Sequence, residues 1–323
     1  MSKEIKKVLV IKLGALGDFV LALAAMKKIR AAHPKAKITL LTTPPFEALA
    51  KLSPYFNTVE TDGRPLDFGD MMTMIGRVRR ARYDRVYDLQ TNSRTNWYFQ
   101  LLRPFPPQWN GIAFGCSLPQ KGAARLRMHT LERQADQLKA AGIWPDAPTE
   151  PGSAPPPDLS WILRRHKEPR PVAGAPAPKP YVLFVPGGSA HRPEKRWPVE
   201  CYAQLGALLK ARGLDIVIIG GPQESAMARQ IQKAVGGARD LTGRTDFAQL
   251  AVLGAKAALA VGNDTGPTHL LAAAGAPTIA LFSDASDPEL CGPRGHVAVI
   301  RSPDLKALPV STVASAAMAL LPH

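Results

Sequence analysis

The sequence predicts an α/β protein made of two units, each a parallel sheet covered on both faces by helices. Three observations carry this. The chain has 323 residues, and domains run to roughly 100–200 residues. Short β-branched runs alternate with segments of helical period, the pattern of a parallel sheet. That alternation stops across residues 145–180 and then restarts.

In the first half, KVLVIKL at 7–13 reads as a strand and 20–32 as a helix ending at His33-Pro34. Strands follow at 37–42, 58–61 and 85–89, with helices at 46–52, 70–81, 93–102 and 130–141. The 70–81 helix gathers Met71, Met74, Ile75 and Val78 on one face, with Arg77, Arg79 and Arg80 largely opposite. The segments PDAPTEPGSAPPPD and PRPVAGAPAPKP read as an extended linker, with a short helix near 159–166. Strands are then expected at 181–185, 215–219, 258–261 and 278–282. Helices are expected at 199–212, 224–235, 247–255, 268–274 and 310–321. The predicted domains are 1–158 and 181–323, with 159–180 as the linker and the C-terminal helix free to pack back on the first domain.

Composition narrows the function. Cys116, Cys201 and Cys291 are scattered without a CxxC pair, against a zinc ribbon or a thioredoxin motif and in favour of a reducing cytoplasm. No apolar run reaches the roughly 18 residues that span a bilayer. The net charge is +15. Residues 1–160 contribute +9, residues 161–180 +4 and residues 181–323 +2. Such a field attracts nucleic acid, anionic membrane or an acidic substrate. No basic motif interleaved with aromatics supports nucleic acid.

Four strand-end loops hold the candidate chemistry. In the first, Lys12-Leu13-Gly14-Ala15-Leu16-Gly17-Asp18, Gly14 and Gly17 allow a tight turn and close backbone approach. Asp18 at the next helix start reads either as an N-cap carboxylate or as a general base. The second loop is Pro186-Gly187-Gly188-Ser189, followed by Lys195, Arg196 and Trp197. Its glycines offer N–H groups to an anion. The third, Gly220-Gly221-Pro222-Gln223-Glu224, offers Glu224 either to ribose hydroxyls or as a first-turn acid. The fourth, Gly262-Asn263-Asp264-Thr265-Gly266-Pro267-Thr268-His269, reads as a phosphate-binding helix start. There Asp264 is free to cap the helix, orient Lys195 or accept from a hydroxyl, and His269 to touch phosphate or sit in the core. No G-x-G-x-x-G or G-x-S-x-G string occurs, against nicotinamide and serine-hydrolase chemistry. Asp67-Phe68-Gly69 lacks the other kinase motifs and reads as a turn.

The strings VLVIKLGALGDFVLALAAMKKIRAAHP, YDLQTNSRT, HTLERQADQL, EKRWPVECYAQL, IIGGPQES and LTGRTDFAQLAVLGAKAALAVGNDTGPTHLLAAAGAPTIALF occur in this order. Together they resemble glycosyltransferase family 9, the ADP-heptose:lipopolysaccharide heptosyltransferases. The resemblance implies a GT-B fold, in which two Rossmann-like domains with parallel sheets face each other across a cleft. It implies inverting transfer of a heptose from ADP-heptose to a hydroxyl of the lipopolysaccharide core, with no metal and no further cofactor. Carried residue by residue, it makes Asp18 the base, Lys195 the phosphate-binding lysine and Glu224 the ribose contact. Gly188, Ser189, Asp264, Thr265, Gly266 and His269 complete the donor pocket. The acceptor side falls to Gly14 and Gly17.

The segment 61–74 lacks the dense Lys/Arg cluster that some inner-core enzymes of that family use. Lys121, Arg125 and Arg127, or the run from Arg77 to Arg85, are the expected substitutes. A metal-held diphosphate usually needs a D-x-D string; none occurs, so cations and amides must serve. The implied location is cytoplasmic, peripheral at the anionic inner face of the membrane, without nucleic acid. The competing reading is a related transferase using another nucleotide-sugar, or another glycan or a protein acceptor.

Overall fold

The computed structural model describes residues 4–163, 180–188 and 191–321. The chain divides into two compact units, Met1–Pro156 and Pro157–His323.

The first unit runs β1 (Lys7–Ile11), α1 (Leu16–Ala32), β2 (Lys37–Leu41), α2 (Glu47–Leu52), β3 (Thr58–Glu60), α3 (Phe68–Ala81), β4 (Arg85–Asp88), α4 (Ser93–Leu101), β5 (Gln108–Gly111), β6 (Leu118–Pro119) and α5 (Thr130–Ala140). Its sheet has the order β3-β2-β1-β4-β5-β6, and all its pairs are parallel. Central β1 buries four of its five residues, as a strand covered on both faces must. On one face, Met74, Ile75 and Val78 of α3 and Tyr98 and Phe99 of α4 share a core with Leu9, Ile11 and Trp109. Asp67, expected in a turn, caps α3 by accepting from the Asp70 N–H.

The second unit runs β7 (Tyr181–Val185), α6 (Val199–Lys210), β8 (Asp215–Ile218), α7 (Ser225–Val235), β9 (Arg239–Asp240), α8 (Phe247–Lys256), β10 (Leu259–Asn263), α9 (Gly266–Ala273), β11 (Thr278–Phe282), α10 (Pro288–Cys291), β12 (Val297–Arg301) and α11 (Val310–Leu320). Its order, β12-β11-β10-β7-β8-β9, is that of the first sheet read from the other edge. Each sheet therefore reverses direction between its first and fourth strands. Ligands bind at such a switch point, outside the carboxyl ends of the strands.

Four strands escape the sequence reading: β5, β6, β9 and β12. β5 is four residues containing a glycine, and β6 and β9 have two residues each. β12 is a partly exposed edge strand. None offers a long apolar run. The start of the expected linker is ordered against the second unit, where Leu159 N donates to Ala273 O at 3.0 Å. Residues 164–179 of that linker lie outside the described residues. α11 lies against α6 and β11 of its own unit and buries Val313 and Ala317 there.

Candidate functional site

In the second unit, the loops after β7 and β10 flank the switch point. Asn263, fully buried, joins them. Its Nδ2 donates to Pro186 O at 2.9 Å and Gly187 O at 3.0 Å. Its Oδ1 accepts from Trp197 N at 3.0 Å and from the Tyr202 hydroxyl at 3.2 Å. This amide fixes the loop after β7 and the approach to α6 on one frame.

Asp264 follows and collects three partners. Lys195 Nζ donates to its Oδ2 at 2.7 Å, and the Ser286 hydroxyl donates to the same oxygen at 2.6 Å. His269 Nε2 lies 3.6 Å from Oδ1. Burial alone would raise this carboxyl, but the bonds from His269, Lys195 and Ser286 and the lysine charge hold it well below the usual carboxylate range. Of the three roles open in the sequence, Asp264 thus orients Lys195 and accepts from a hydroxyl. It does not cap α9: the N-cap is Thr265, whose hydroxyl meets that of Thr268 at 3.2 Å. His269 is buried with its Nδ1 unpartnered among the described residues. Gly266 opens the helix, so backbone N–H groups and the positive helix end lie beside Lys195's anchor.

Gly188 O accepts from Arg196 Nη2 at 2.7 Å, which commits Arg196 to the loop. Ser189 lies outside the described residues. Glu224 is buried, with Oε2 accepting from Gly221 N at 2.7 Å. A Cβ on Gly187 would stand 2.6 Å from Glu224 Cγ, so the glycine is what lets the carboxylate lie against the β7 loop. Among the described residues, Oε1 has no hydrogen-bond partner and is available to a ligand hydroxyl.

In the first unit, the loops after β1 and β4 meet in the same way. Gly14 has φ +113°, a conformation that favours glycine, and a Cβ there would press on the Phe46 ring at 3.1 Å. Arg64 Nη2 lies 3.7 Å from that point. Asp18 is the third residue of α1 and half-buried; the N-cap is Ala15, so the capping role is not taken. Behind it, Lys12 is buried and donates to Leu89 O at 3.3 Å. Leu13 N donates to Gln90 Oε1 at 2.9 Å. Burial pushes the Lys12 ammonium down to about 8, against the pull of Asp18 and Asp88. Burial also pushes the Asp88 carboxyl up to about 6, against Thr95, the N–H groups of Thr91 and Gln90, and Lys12.

The expected basic residues separate. Arg125 is tied to Gln120 Oε1 at 3.1 Å and reaches Thr91 Oγ1 at 3.5 Å, beside the loop after β4. Lys121 and Arg127 are exposed. The run from Arg77 to Arg85 is divided: Arg80 and Arg82 are exposed, and the other three hold partners within the unit. Arg77 pairs with Glu60 and Asp62, Arg79 caps the carbonyls of Leu101 and Arg103, and Arg85 holds Gln108. Sequence reasoning gave no role to Lys12, Arg64, Asp88, Gln90, Asn263 or Ser286. Most adjoin quoted motifs, but Arg64 and Ser286 carry no local signal. Among the described residues, no group of three or more His, Cys, Asp or Glu side chains is placed to hold a metal.

The comparisons with known proteins agree with one another. The model for glycosyltransferase family 9 (heptosyltransferase) matches residues 71–316. The chain is 25% identical to lipopolysaccharide heptosyltransferase 2 of Escherichia coli over 319 residues, spanning 91% of this chain and 88% of that protein. It is 33% identical to lipooligosaccharide heptosyltransferase 2 of Haemophilus ducreyi over 129 residues, 38% of this chain and 36% of that one. The solved E. coli ADP-heptose lipopolysaccharide heptosyltransferase II matches with a TM-score of 0.80 at 23% identity, covering 97% of this chain and 98% of that one. A family 9 glycosyltransferase from Veillonella parvula also gives 0.80, at 20% identity and 98% of each chain. The fold is GT-B, and both parallel sheets have the Rossmann strand order. With the family match extending over most of its length, the chain belongs to glycosyltransferase family 9, the heptosyltransferases, and is a glycosyltransferase.

Proposed function

We propose that this glycosyltransferase moves a heptose from ADP-heptose to a hydroxyl of the lipopolysaccharide core, with inversion and without a metal. The observation that carries the reading is Lys195 held by Asp264 at the start of α9. A cation, free N–H groups and a helix end together suit a diphosphate. Glu224 Oε1 suits a ribose hydroxyl, with Gly187 beside it. Thr265, Gly266 and His269 belong to the same pocket.

On the first unit, Asp18 takes the proton of the acceptor hydroxyl as that oxygen bonds to the anomeric carbon. The bond from that carbon to the diphosphate oxygen breaks, and ADP leaves with the electron pair. Lys195 and the α9 amides meet the charge that develops there. Gly14 and Gly17 keep the loop beside Asp18 free of side chains, and Arg64 and Arg125 supply charge for an acidic glycan, with Lys121 and Arg127 further out. The relatives' names supply the heptose and the lipopolysaccharide. A glycolipid acceptor and a basic first half support a cytoplasmic location, peripheral at the inner membrane face.

The test is to incubate the protein with ADP-heptose and truncated core glycolipids in the presence of EDTA, and to weigh the products. A gain of one heptose, with the anomeric configuration inverted by NMR, supports the reading. Transfer that stops with EDTA overturns the metal-free part. Transfer only from another nucleotide-sugar overturns the donor.

A further inference from the structure

We propose that the solvent face of α4, with the loops at its two ends, is a docking surface for an anionic lipid bilayer. This rests on the peripheral location proposed above and adds the surface that makes the contact.

Between Asp88 and Glu132 the sequence has no acidic residue, but it carries Arg94, Arg103, Lys121, Arg125 and Arg127. The same stretch exposes Trp97 at 65%, Phe105 at 89%, Phe114 at 86% and Leu126 at 65%. The fold gathers these residues around one short helix. α4 turns Thr95, Tyr98 and Phe99 inward, so its period leaves Arg94 and Trp97 exposed. At its C-terminal end, Gln100 Nε2 and Arg103 Nη2 both donate to Phe114 O, at 3.1 and 3.4 Å. That ties the Phe114 loop to the end of α4, next to Phe105. At its N-terminal end, the bond from Arg125 to Thr91 brings in the 3-10 turn Ala123–Arg127 with Leu126. A nine-residue helix is only about 13 Å long, so both ends belong to one patch.

Single exposed apolar side chains are ordinary. Four large ones among cations, with no acid in the segment, are not. Aromatic rings settle at the headgroup level of a membrane, and arginine and lysine are drawn to anionic lipid. The acid-free character favours a uniformly negative surface over a protein partner of mixed charge. The second unit offers no counterpart: its exposed large apolar residues among those described are Leu163, Leu208, Leu290 and Val299, none aromatic. Leu66, Phe68 and Met72 are exposed too, but Asp67 and Asp70 stand among them and exclude that corner.

The experiment is co-sedimentation of the full chain with phosphatidylcholine vesicles, with and without phosphatidylglycerol. The protein should partition onto the vesicles containing phosphatidylglycerol and leave them at high salt. Trp97→Ser/Phe105→Ser/Phe114→Ser should weaken partitioning about tenfold, and Arg94→Gln alone about fivefold. Both variants should melt with the wild type and keep transfer to a delipidated, water-soluble acceptor. No partitioning of the wild type, equal binding to pure phosphatidylcholine, or unchanged binding by both variants would overturn the proposal. Vesicle binding is read without any transfer, and transfer to the soluble acceptor without any vesicle, so each reading can fail alone.

Discussion

Lys195 and Asp264 are separated by 69 residues of chain and by 2.7 Å of space. The lysine comes from the turn before α6 and the carboxylate from the end of β10, while Ser286 and His269 reach the same carboxylate from two further segments. An acid beside a phosphate site would ordinarily repel the ligand. Here its charge is spent on the lysine and the hydroxyl, and on the proposed reading what remains for the ligand is a positioned ammonium.

That role makes Lys195→Gln a selective change. Glutamine can still donate to Asp264, so the loop frame should survive. On the proposed reading the cation facing the departing diphosphate is lost, and kcat should fall by about 10²–10³. Initial rates at saturating donor read this directly. A variant with wild-type kcat would remove Lys195 from the transition state.

Asp264 also predicts an acid limb of stability. Its folded pKa lies below the unfolded value, so the unfolded chain binds the extra proton. The stabilisation is therefore complete above about pH 4 and is lost as pH falls through the folded value. Asp264→Asn should be less stable than the wild type at pH 7, and the gap should narrow on acidification. Urea midpoints at pH 7 and pH 3 measure it; a gap of constant size would contradict the assignment.

Much of this was legible in the sequence because glycines and helix starts punctuate the ends of buried strands. β1, β7, β10 and β11 read directly, each a run of apolar residues. The loops after them read too, because Gly14, Gly187 and Gly266 mark where backbone must come close. Partners supplied from far along the chain did not read. Ser286 follows β11 with nothing local to show that its hydroxyl meets Asp264. Lys12 sat inside a quoted motif, yet only burial against Asp88 shows that it is no surface charge. Arg77 looked solvent-facing by helical period, and Glu60 at the end of β3 and Asp62 just beyond it claimed it.

Asp18→Asn tests the other half of the reaction. Asparagine matches the carboxylate in size and cannot take a proton. Asp18 is not the N-cap but a first-turn acid near buried Lys12, so the variant should fold, with a melting temperature slightly below that of the wild type. Transfer should fall by about 10²–10⁴, while donor binding, read calorimetrically with ADP, should hold. Weakened ADP binding would place Asp18 in the donor pocket instead.

Gly187→Ala is expected to act through Glu224. The new methyl would stand 2.6 Å from Cγ and 2.8 Å from Cδ of that side chain, which must swing away. If Glu224 holds the ribose, KM for the donor should rise about tenfold with little change in kcat, as loss of a ground-state contact requires. Glu224→Gln should do less, since its amide oxygen can still accept from Gly221. An unchanged KM in the alanine variant would separate Glu224 from the nucleotide.

Asp88 gives a stability prediction of opposite sign to Asp264. Its carboxyl is pushed up to about 6, so between the unfolded value and pH 6 the folded protein holds a proton that the unfolded chain has released. This contribution is present below about pH 4 and is lost as pH rises through 6. The cost is tolerated because Asp88 Oδ1 accepts from the N–H groups of Gln90 and Thr91, at 3.0 Å each, and so shapes the loop after β4. Asp88→Asn keeps an oxygen for those two bonds and never ionises. Relative to the wild type it should therefore gain about 2 kcal/mol between pH 4 and pH 7. Urea unfolding at the two pH values measures the difference, and a variant that tracks the wild type across that range would show that Asp88 ionises as easily folded as unfolded. Transfer in the same variant should drop, because Lys12 would lose the counter-charge that shares its burial and the loop beside Asp18 would shift.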